Sequence, residues 1–316
     1  MTREDERNRL REVLTNDPFL HANRNDAEYI GAIVGGDHPS RYSQSPWLWN
    51  RFFSETGIRG LFTSFDLPAG RSFSTFASVA GDINGLIDLT VTNPYKAIAY
   101  RHLEDFGLEV SVTNRSLHLE CLNHIIVHPG TDKAVVDLTD GFGMIRALAK
   151  RRPLSGQRVL LAGAGGAGRA IGYELVQAGA GVTICDIVDE DAVRLTELLR
   201  AHRTAGGDVD AIRWAQRASV AAESDVVVSA ISATSPLSRQ EIASLKAECL
   251  CADTRYGVRA AFADLVRLAQ RDCIDGREML FGQFTPAACT VAEMLGVPDE
   301  TVHPALDRVE QWFMFL

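Results

Sequence analysis

The stretch that most narrows what this chain can become begins at Val159. Four apolar residues, Val159-Leu160-Leu161-Ala162, run directly into Gly163-Ala164-Gly165-Gly166-Ala167-Gly168, a helix-forming segment follows over 169–178, and a second apolar run, Val182-Thr183-Ile184-Cys185, ends in Asp186. Strand, G-x-G-x-x-G turn, helix and strand in this order describe the opening unit of a dinucleotide-binding sheet. The glycines have separate duties. Gly163 permits the tight turn, Gly165 lets the backbone approach a pyrophosphate, and Gly168 lets the helix pack closely on the strand, with the phosphates at the positive helix N-terminus.

Asp186 stands about twenty residues beyond the glycines, where an acidic side chain accepts hydrogen bonds from the ribose hydroxyls of NAD. A 2′-phosphate would be repelled there. The next residues, Ile187, Val188, Asp189, Glu190 and Asp191, offer no Arg or Lys to hold one, and their acids add to the repulsion. The expected cofactor is therefore NAD in preference to NADP, held by Gly163, Ala164, Gly165, Gly166, Ala167, Gly168, Asp186 and Ile187.

With 316 residues, the chain exceeds the size at which one core grows comfortably, and two domains are expected. Before the glycine turn, runs at Tyr29–Val34, Leu61–Leu67 and Gly85–Thr92 read as strands. Helical spacing separates them: Trp47, Leu48, Phe52 and Phe53, stopped at Gly57, and then Phe73, Phe76, Ala77 and Ala80. A further helix is expected over Pro94–His102. Strand alternating with helix implies a largely parallel sheet. The stretch Leu117–Asp140 reads as strand, turn at Pro129-Gly130, and strand. After it come strands at Val159–Ala162, Val182–Cys185, Asp225–Ala230 and Leu250–Asp253, with helices between them, the last over Ala260–Gln270. The expected fold is α/β: a substrate domain with a mostly parallel sheet (1–139 and 277–316) and a Rossmann domain (140–276), the final helices returning to the first domain.

Several classes are disfavoured. A formal net charge of −9 is unsuited to nucleic acid, whose binding depends on Lys and Arg neutralising phosphates. No apolar run reaches the roughly eighteen residues of a membrane span. Met1–Asn16 alternates Arg with Asp and Glu and lacks the apolar centre of a secretory signal, so a cytoplasmic location is expected. Cys121, Cys185, Cys249, Cys251, Cys273 and Cys289 contain no C-x-x-C pair, and no metal site is expected. Cys249 and Cys251 would share one face of a strand as small buried residues.

Three further segments carry polar chemistry. Ser43-Gln44-Ser45-Pro46 precedes a helix, where two hydroxyls and backbone N–H groups suit a carboxylate ligand, or where the serines simply cap the helix. Lys96 follows the end of the strand Gly85–Thr92, in the first turn of the helix expected from Pro94, where open α/β sheets keep their ligand crevice. The positive helix end disfavours a protonated amine, which suits proton transfer. Asp140 begins the turn Asp140-Gly141-Phe142-Gly143, or simply caps the helix that follows.

Together these segments resemble the shikimate dehydrogenase family, which includes quinate and aminoshikimate dehydrogenases. The resemblance rests on Ser43-Gln44-Ser45-Pro46 with Asn50, Thr90-Val91-Thr92-Asn93-Pro94-Tyr95-Lys96, Asn123, Thr139-Asp140-Gly141-Phe142-Gly143, Gly163 to Ala170, Asp253-Thr254-Arg255-Tyr256, and Gly276, Met279, Leu280 and Gln283. It implies hydride transfer between nicotinamide and a ring carbon bearing a secondary alcohol. Lys96 and Asp140 match the family's catalytic pair, and Ser43 and Ser45 its carboxylate positions. Thr92, Asn123 and Gln283 match positions that hold ring hydroxyls, and Tyr256 a tyrosine near the carboxylate. A lysine paired with a carboxylate can receive the hydroxyl proton and stabilise the developing charge; which of the two is the base stays open, because a coupled pair titrates as a unit.

The chain also departs from the family pattern. Thr90 and Leu138 stand where Asn is usual, His124 where Thr is usual, and Asp186-Ile187-Val188 where NADP-specific members carry Asn-Arg-Thr. The implied partner is a small cyclic hydroxy acid of shikimate, quinate or aminoshikimate type; a non-catalytic NAD-binding regulator is the alternative. Exposed Trp47 or Trp312 would supply contact surface for a homodimer.

Overall fold

The computed structural model describes residues 27–67, 73–83, 85–204, 206–231 and 234–315; the leader Met1–Asn16 lies outside the described residues. Two compact units emerge, one comprising the chain up to Thr139 together with Phe284 onward, the other Asp140–Gln283.

In the first unit, β1 (Tyr29–Gly35), β2 (Gly60–Asp66), β3 (Leu86–Val91), β4 (Glu109–Val112), β5 (His124–Val127) and β6 (Lys133–Asp137) form one sheet in the order β2-β1-β3-β5-β6-β4. β1 pairs in parallel with β2 and β3, and β4 with β6, while β5 runs antiparallel to both of its neighbours. β3 is buried along its whole length, which is why it reads as a continuous apolar run instead of an alternating one. One face of the sheet carries the helix Ser45–Thr56, whose Trp49 stacks on Phe62 at 5.4 Å and meets Phe284 edge-on at 5.0 Å. Phe73, Phe76, Tyr95 and Phe106 belong to the apolar cluster that also holds Ala32, Val34, Leu89 and Val91 of β1 and β3.

Three local expectations need correction, two in this unit and one at the start of the next. Leu117 to Leu119 belongs to a helix, Asn114–Leu119, and the two strands start only at His124 and Lys133. Leu117 and Leu119 imitate strand alternation, but Ser116 and Leu119 are the buried pair, the i, i+3 spacing of a helix. The helix expected from Pro94 begins at Lys96, because Tyr95 N–H first closes a turn onto the Thr92 carbonyl at 2.9 Å. Asp140 opens the helix Asp140–Ala149 directly and no separate turn precedes it.

The second unit is a wholly parallel sheet of β7 (Arg158–Ala162), β8 (Gly181–Cys185), β9 (Val209–Ala211), β10 (Val226–Ser229), β11 (Leu250–Asp253) and β12 (Cys273–Ile274), ordered β12-β11-β10-β7-β8-β9. Numbered within the unit, this is the doubly wound order 3-2-1-4-5-6. β9 and β12, of three and two residues, are too short to leave a periodic signal in sequence. Cys249 and Cys251 are buried in the same apolar cluster as Leu160 and Phe262.

Candidate functional site

The strand order of the second unit reverses between β7 and β10, and the glycine turn sits there. Gly163 has φ +114°, and a Cβ on it would stand 2.8 Å from the Ala230 carbonyl carbon and oxygen just after β10. A Cβ on Gly168 would lie 1.9 Å from the Gly163 oxygen, whereas one on Gly165 would meet nothing within 4 Å. Two glycines are thus required by packing and the middle one by open space, the cradle a pyrophosphate needs ahead of the helix Gly166–Gln177.

Asp186, immediately after β8, binds that cradle. Its Oδ2 accepts a hydrogen bond from Ala164 N–H at 2.7 Å and its Oδ1 one from Val188 N–H at 3.0 Å. Each carboxylate oxygen can accept a further bond, so the residue anchors the turn and still suits ribose hydroxyls. Ile187 beside it is 57% exposed. Neighbouring Cys185 is fully buried, and burial pushes its thiol up to about 12, which makes it neutral filler.

In the first unit the reversal falls between β1 and β3. A Cβ on Gly35, the last residue of β1, would stand 2.4 Å from Thr92 Cγ2, and Gly36 N–H donates to the Asn93 carbonyl at 3.0 Å. The loop leaving β1 leads to Ser43 and Ser45. Ser43 Oγ accepts from Ser45 N–H at 3.2 Å, and Ser45 is the first residue of its helix, but the cap position is Gln44, whose side chain makes no capping bond, so neither serine is a simple cap. Asn123 joins the same sheet edge because β5 is antiparallel: Val91 N–H donates to the Asn123 carbonyl at 2.7 Å, and Leu122 N–H to the Lys96 carbonyl at 3.2 Å. Thr139 grips the Asn123 amide, its N–H donating to Oδ1 at 2.7 Å and its Oγ1 accepting from Nδ2 at 3.1 Å. Ser43, Ser45, Thr92, Lys96 and Asn123 therefore share one edge of one sheet.

Sequence reasoning missed Asp88. It is fully buried, and its Oδ1 lies 2.8 Å from Nδ1 of buried His124 while its Oδ2 accepts from Thr90 Oγ1 at 2.7 Å. Thr90 and His124 are two of the departures from the family pattern. The only advance signal was a lone acid inside an apolar strand.

In the second unit Asp140 is buried at the start of its helix. The two glycines after it serve close packing. A Cβ on Gly141 would stand 2.1 Å from the Ala170 oxygen, and one on Gly143 would stand 2.3 Å from the Met279 oxygen and 2.6 Å from Gln283 N. Gly143 thus seats Gln283, whose Oε1 is buried without a hydrogen-bond partner among the described residues. Such a group calls for a ligand or water. Substituting Gly143→Ala forces backbone apart, and we expect a loss of about 1–3 kcal/mol in urea unfolding. Unchanged stability would mean that the two helices are not held at this distance. Tyr256 is half-buried after β11, ahead of the exposed Gly257-Val258. Before it, Asp253 accepts hydrogen bonds from Arg255, Phe262 and Ala263 N–H, and burial outweighs them to raise its carboxyl to about 6.

Trp47 does not project freely: it stacks on Phe313 at 5.7 Å, and the Arg51 guanidinium lies 3.5 Å from the Trp312 ring. Among the described residues no helix is long and apolar enough to cross a membrane, and no cluster of three or more His, Cys, Asp or Glu could hold a metal.

A doubly wound nucleotide sheet with its glycine cradle, on one chain with a second α/β sheet bearing Lys96 and paired serines at its own reversal point, defines a nicotinamide-dependent dehydrogenase. Residues 34–111 match the model of the shikimate dehydrogenase substrate binding domain. The shikimate dehydrogenase (NADP(+)) of Xanthomonas campestris pv. campestris is 30% identical over 278 residues, 85% of this chain and 92% of that protein. The Pyrococcus furiosus shikimate dehydrogenase (NADP(+)) is 32% identical over 166 residues, 52% of this chain, and that match spans only about half of the relative, 56% of its length. The chain belongs to the shikimate dehydrogenase family of oxidoreductases. In fold it resembles the quinate dehydrogenase of Corynebacterium glutamicum in complex with NAD, with a TM-score of 0.71 at 20% identity over 91% of this chain and 99% of that one.

Proposed function

We propose that this protein is an NAD-preferring dehydrogenase that oxidises a ring secondary alcohol of a shikimate-like or quinate-like cyclic hydroxy acid, or reduces the matching ketone. The observation that carries the reading is the gathering of Ser43, Ser45, Thr92, Lys96 and Asn123 at the edge of one sheet, beside its strand-order reversal. Ser43 and Ser45, at the start of a helix, bind the carboxylate. Thr92, Asn123 and Gln283 hold ring hydroxyls, and Tyr256 borders the carboxylate. The orphaned Gln283 Oε1 supports this role, and so does the second N–H of Asn123 Nδ2 left over from its bond to Thr139.

Bound nicotinamide supplies a hydride acceptor. The protein's own work is to take the hydroxyl proton and stabilise the charge growing on oxygen, which falls to Lys96 with Asp140. Asp186 and the absence of a cation at 187–191 favour NAD, and the likeness in fold to the quinate dehydrogenase of C. glutamicum in complex with NAD supports that reading. Lengthening the list of substituents on the acid is compatible with the same machinery, so aminoshikimate-type acids belong in the test.

The test is a screen of shikimate, quinate and aminoshikimate with NAD and with NADP, followed by absorbance of the reduced cofactor. Turnover of at least one acid, faster with NAD, is expected. NAD binding by calorimetry without turnover of any acid would overturn the catalytic reading in favour of a regulator.

A further inference from the structure

The loop that carries Ser43 is fastened to the neighbouring strand by a residue that has no part in the chemistry above. Asp66 is the last residue of β2 and the register partner of Gly35, where β1 ends and the loop begins. Its Oδ1 accepts from Ser40 N–H at 3.0 Å and its Oδ2 from Ser40 Oγ at 2.6 Å. His38 Nδ1 lies 3.2 Å from the same Oδ2; a carboxylate only accepts, so that nitrogen carries the hydrogen. Burial would raise the Asp66 carboxyl, but the bonds from Ser40 and His38 hold it below the usual range, so it is ionised at neutral pH.

These bonds reach the serines through a tight helical turn, Pro39–Arg41. Arg41 N–H donates to the His38 carbonyl at 3.0 Å, Tyr42 N–H to the Pro39 carbonyl at 3.2 Å, and Ser43 N–H to that same Pro39 carbonyl at 2.8 Å. Ser43 Oγ then accepts from Ser45 N–H. The turn is entered through His38 at φ 59° and ψ 62°, a left-handed conformation that is unfavourable for a residue with a side chain. Such a conformation persists where its surroundings over-determine it. Asp66 supplies that constraint by gripping His38 and Ser40, two exposed residues.

Resting on the dehydrogenase reading above, we infer that Asp66 is a positioning residue for substrate binding: by fixing residues 38–43 in advance, it holds the Ser43 and Ser45 hydroxyls ready for the carboxylate of the acid. A loop without this anchor would have to be ordered when the acid binds, and the backbone entropy lost at that moment is subtracted from affinity. The effect of losing Asp66 therefore falls on KM, and on the carboxylate in particular.

The experiment compares whichever of shikimate, quinate and aminoshikimate is turned over with its analogue bearing a primary alcohol in place of the carboxylate, for wild type, Asp66→Ala and Asp66→Asn. In Asp66→Ala the KM for the acid is expected to rise about tenfold, with kcat and the calorimetric affinity for NAD kept. For the analogue, kcat/KM is expected to equal that of wild type. Asp66→Asn keeps a carbonyl acceptor for Ser40 N–H and offers an amide donor to Ser40 Oγ, so it recovers most of the loss. Should Asp66→Ala fold poorly, Ser40→Ala removes one bond at an exposed position and must raise KM for the acid alone, by a smaller factor. A KM for the acid that is unchanged in Asp66→Ala, or an equal loss for the analogue, would overturn the inference while wild-type turnover upholds the dehydrogenase reading. A wild type that oxidises none of the acids would instead sink that reading, and this inference with it.

Discussion

Replacing Lys96 by alanine is expected to lower kcat/KM for the ring alcohol by about a thousandfold, within the span assigned to a positioned proton-transfer group, and to leave the dissociation constant of NAD unchanged. The reason is placement. Lys96 is the first residue of its helix, half-buried at the sheet edge that carries Thr92 and Asn123, and its carbonyl is tied to Leu122 N–H. The backbone there is defined by the strand ends, so the start of the helix is kept when the side chain is shortened. Asp140→Asn should cost a similar factor. The double variant should be little worse than either single one, since groups that act as a unit lose their effect together. Steady-state kinetics with calorimetric titration of NAD distinguishes these outcomes. A Lys96→Ala enzyme within tenfold of wild type would remove the lysine from the mechanism.

The second large effect concerns cofactor choice. Asp186→Ser combined with Ile187→Arg should reverse the preference from NAD to NADP, changing the ratio of their kcat/KM values by about a thousandfold. Part comes from relieving repulsion, and part from a guanidinium able to bind a 2′-phosphate with two charge-assisted bonds. The structure alters what the simpler substitution would do. Because Asp186 Oδ2 also accepts from Ala164 N–H, Asp186→Ala loosens the glycine turn and weakens both cofactors, whereas serine keeps a short oxygen acceptor near the turn. Ile187 is exposed, so arginine there meets no steric penalty. An unchanged ratio in the double substitution would show that selectivity lies elsewhere.

Much of this protein was legible in its residues because the legible parts are local. Val159 to Asp186 specify strand, turn, helix and strand through apolar runs and three glycines, each with a steric reason that operates within about thirty residues of a βαβ unit. The segments around Ser43, Lys96, Asp140 and Gln283 were likewise recognisable as short motifs. The expected helix starts erred at Lys96 and Asp140 by small margins, since a turn onto Thr92 and a direct helical entry follow from hydrogen bonds that periodicity does not register. The strands β9 and β12 were invisible for the opposite reason: with three and two residues, only pairing with a neighbour makes them strands.

What tertiary structure alone decided is which distant residues become neighbours. Asp88 looked like an isolated acid in an apolar strand until the antiparallel register of β5 brought His124 beside Thr90. Asn123 was read within a strand from Leu117, whereas it sits just ahead of β5, whose antiparallel course carries it to the end of β3. Asp186 looked like a ribose ligand only, and the fold showed that it also fastens the glycine turn. Gly143 looked like part of a turn, and proved to be the gap into which Gln283 and its helix fit. In each case the deciding contact joins residues far apart in the chain, whose meeting depends on sheet order and register. The sequence by itself determined most of the elements and the glycine turn, and it pointed to the candidate reacting groups. Their company was decided by packing, because no local preference encodes a partner dozens of residues away.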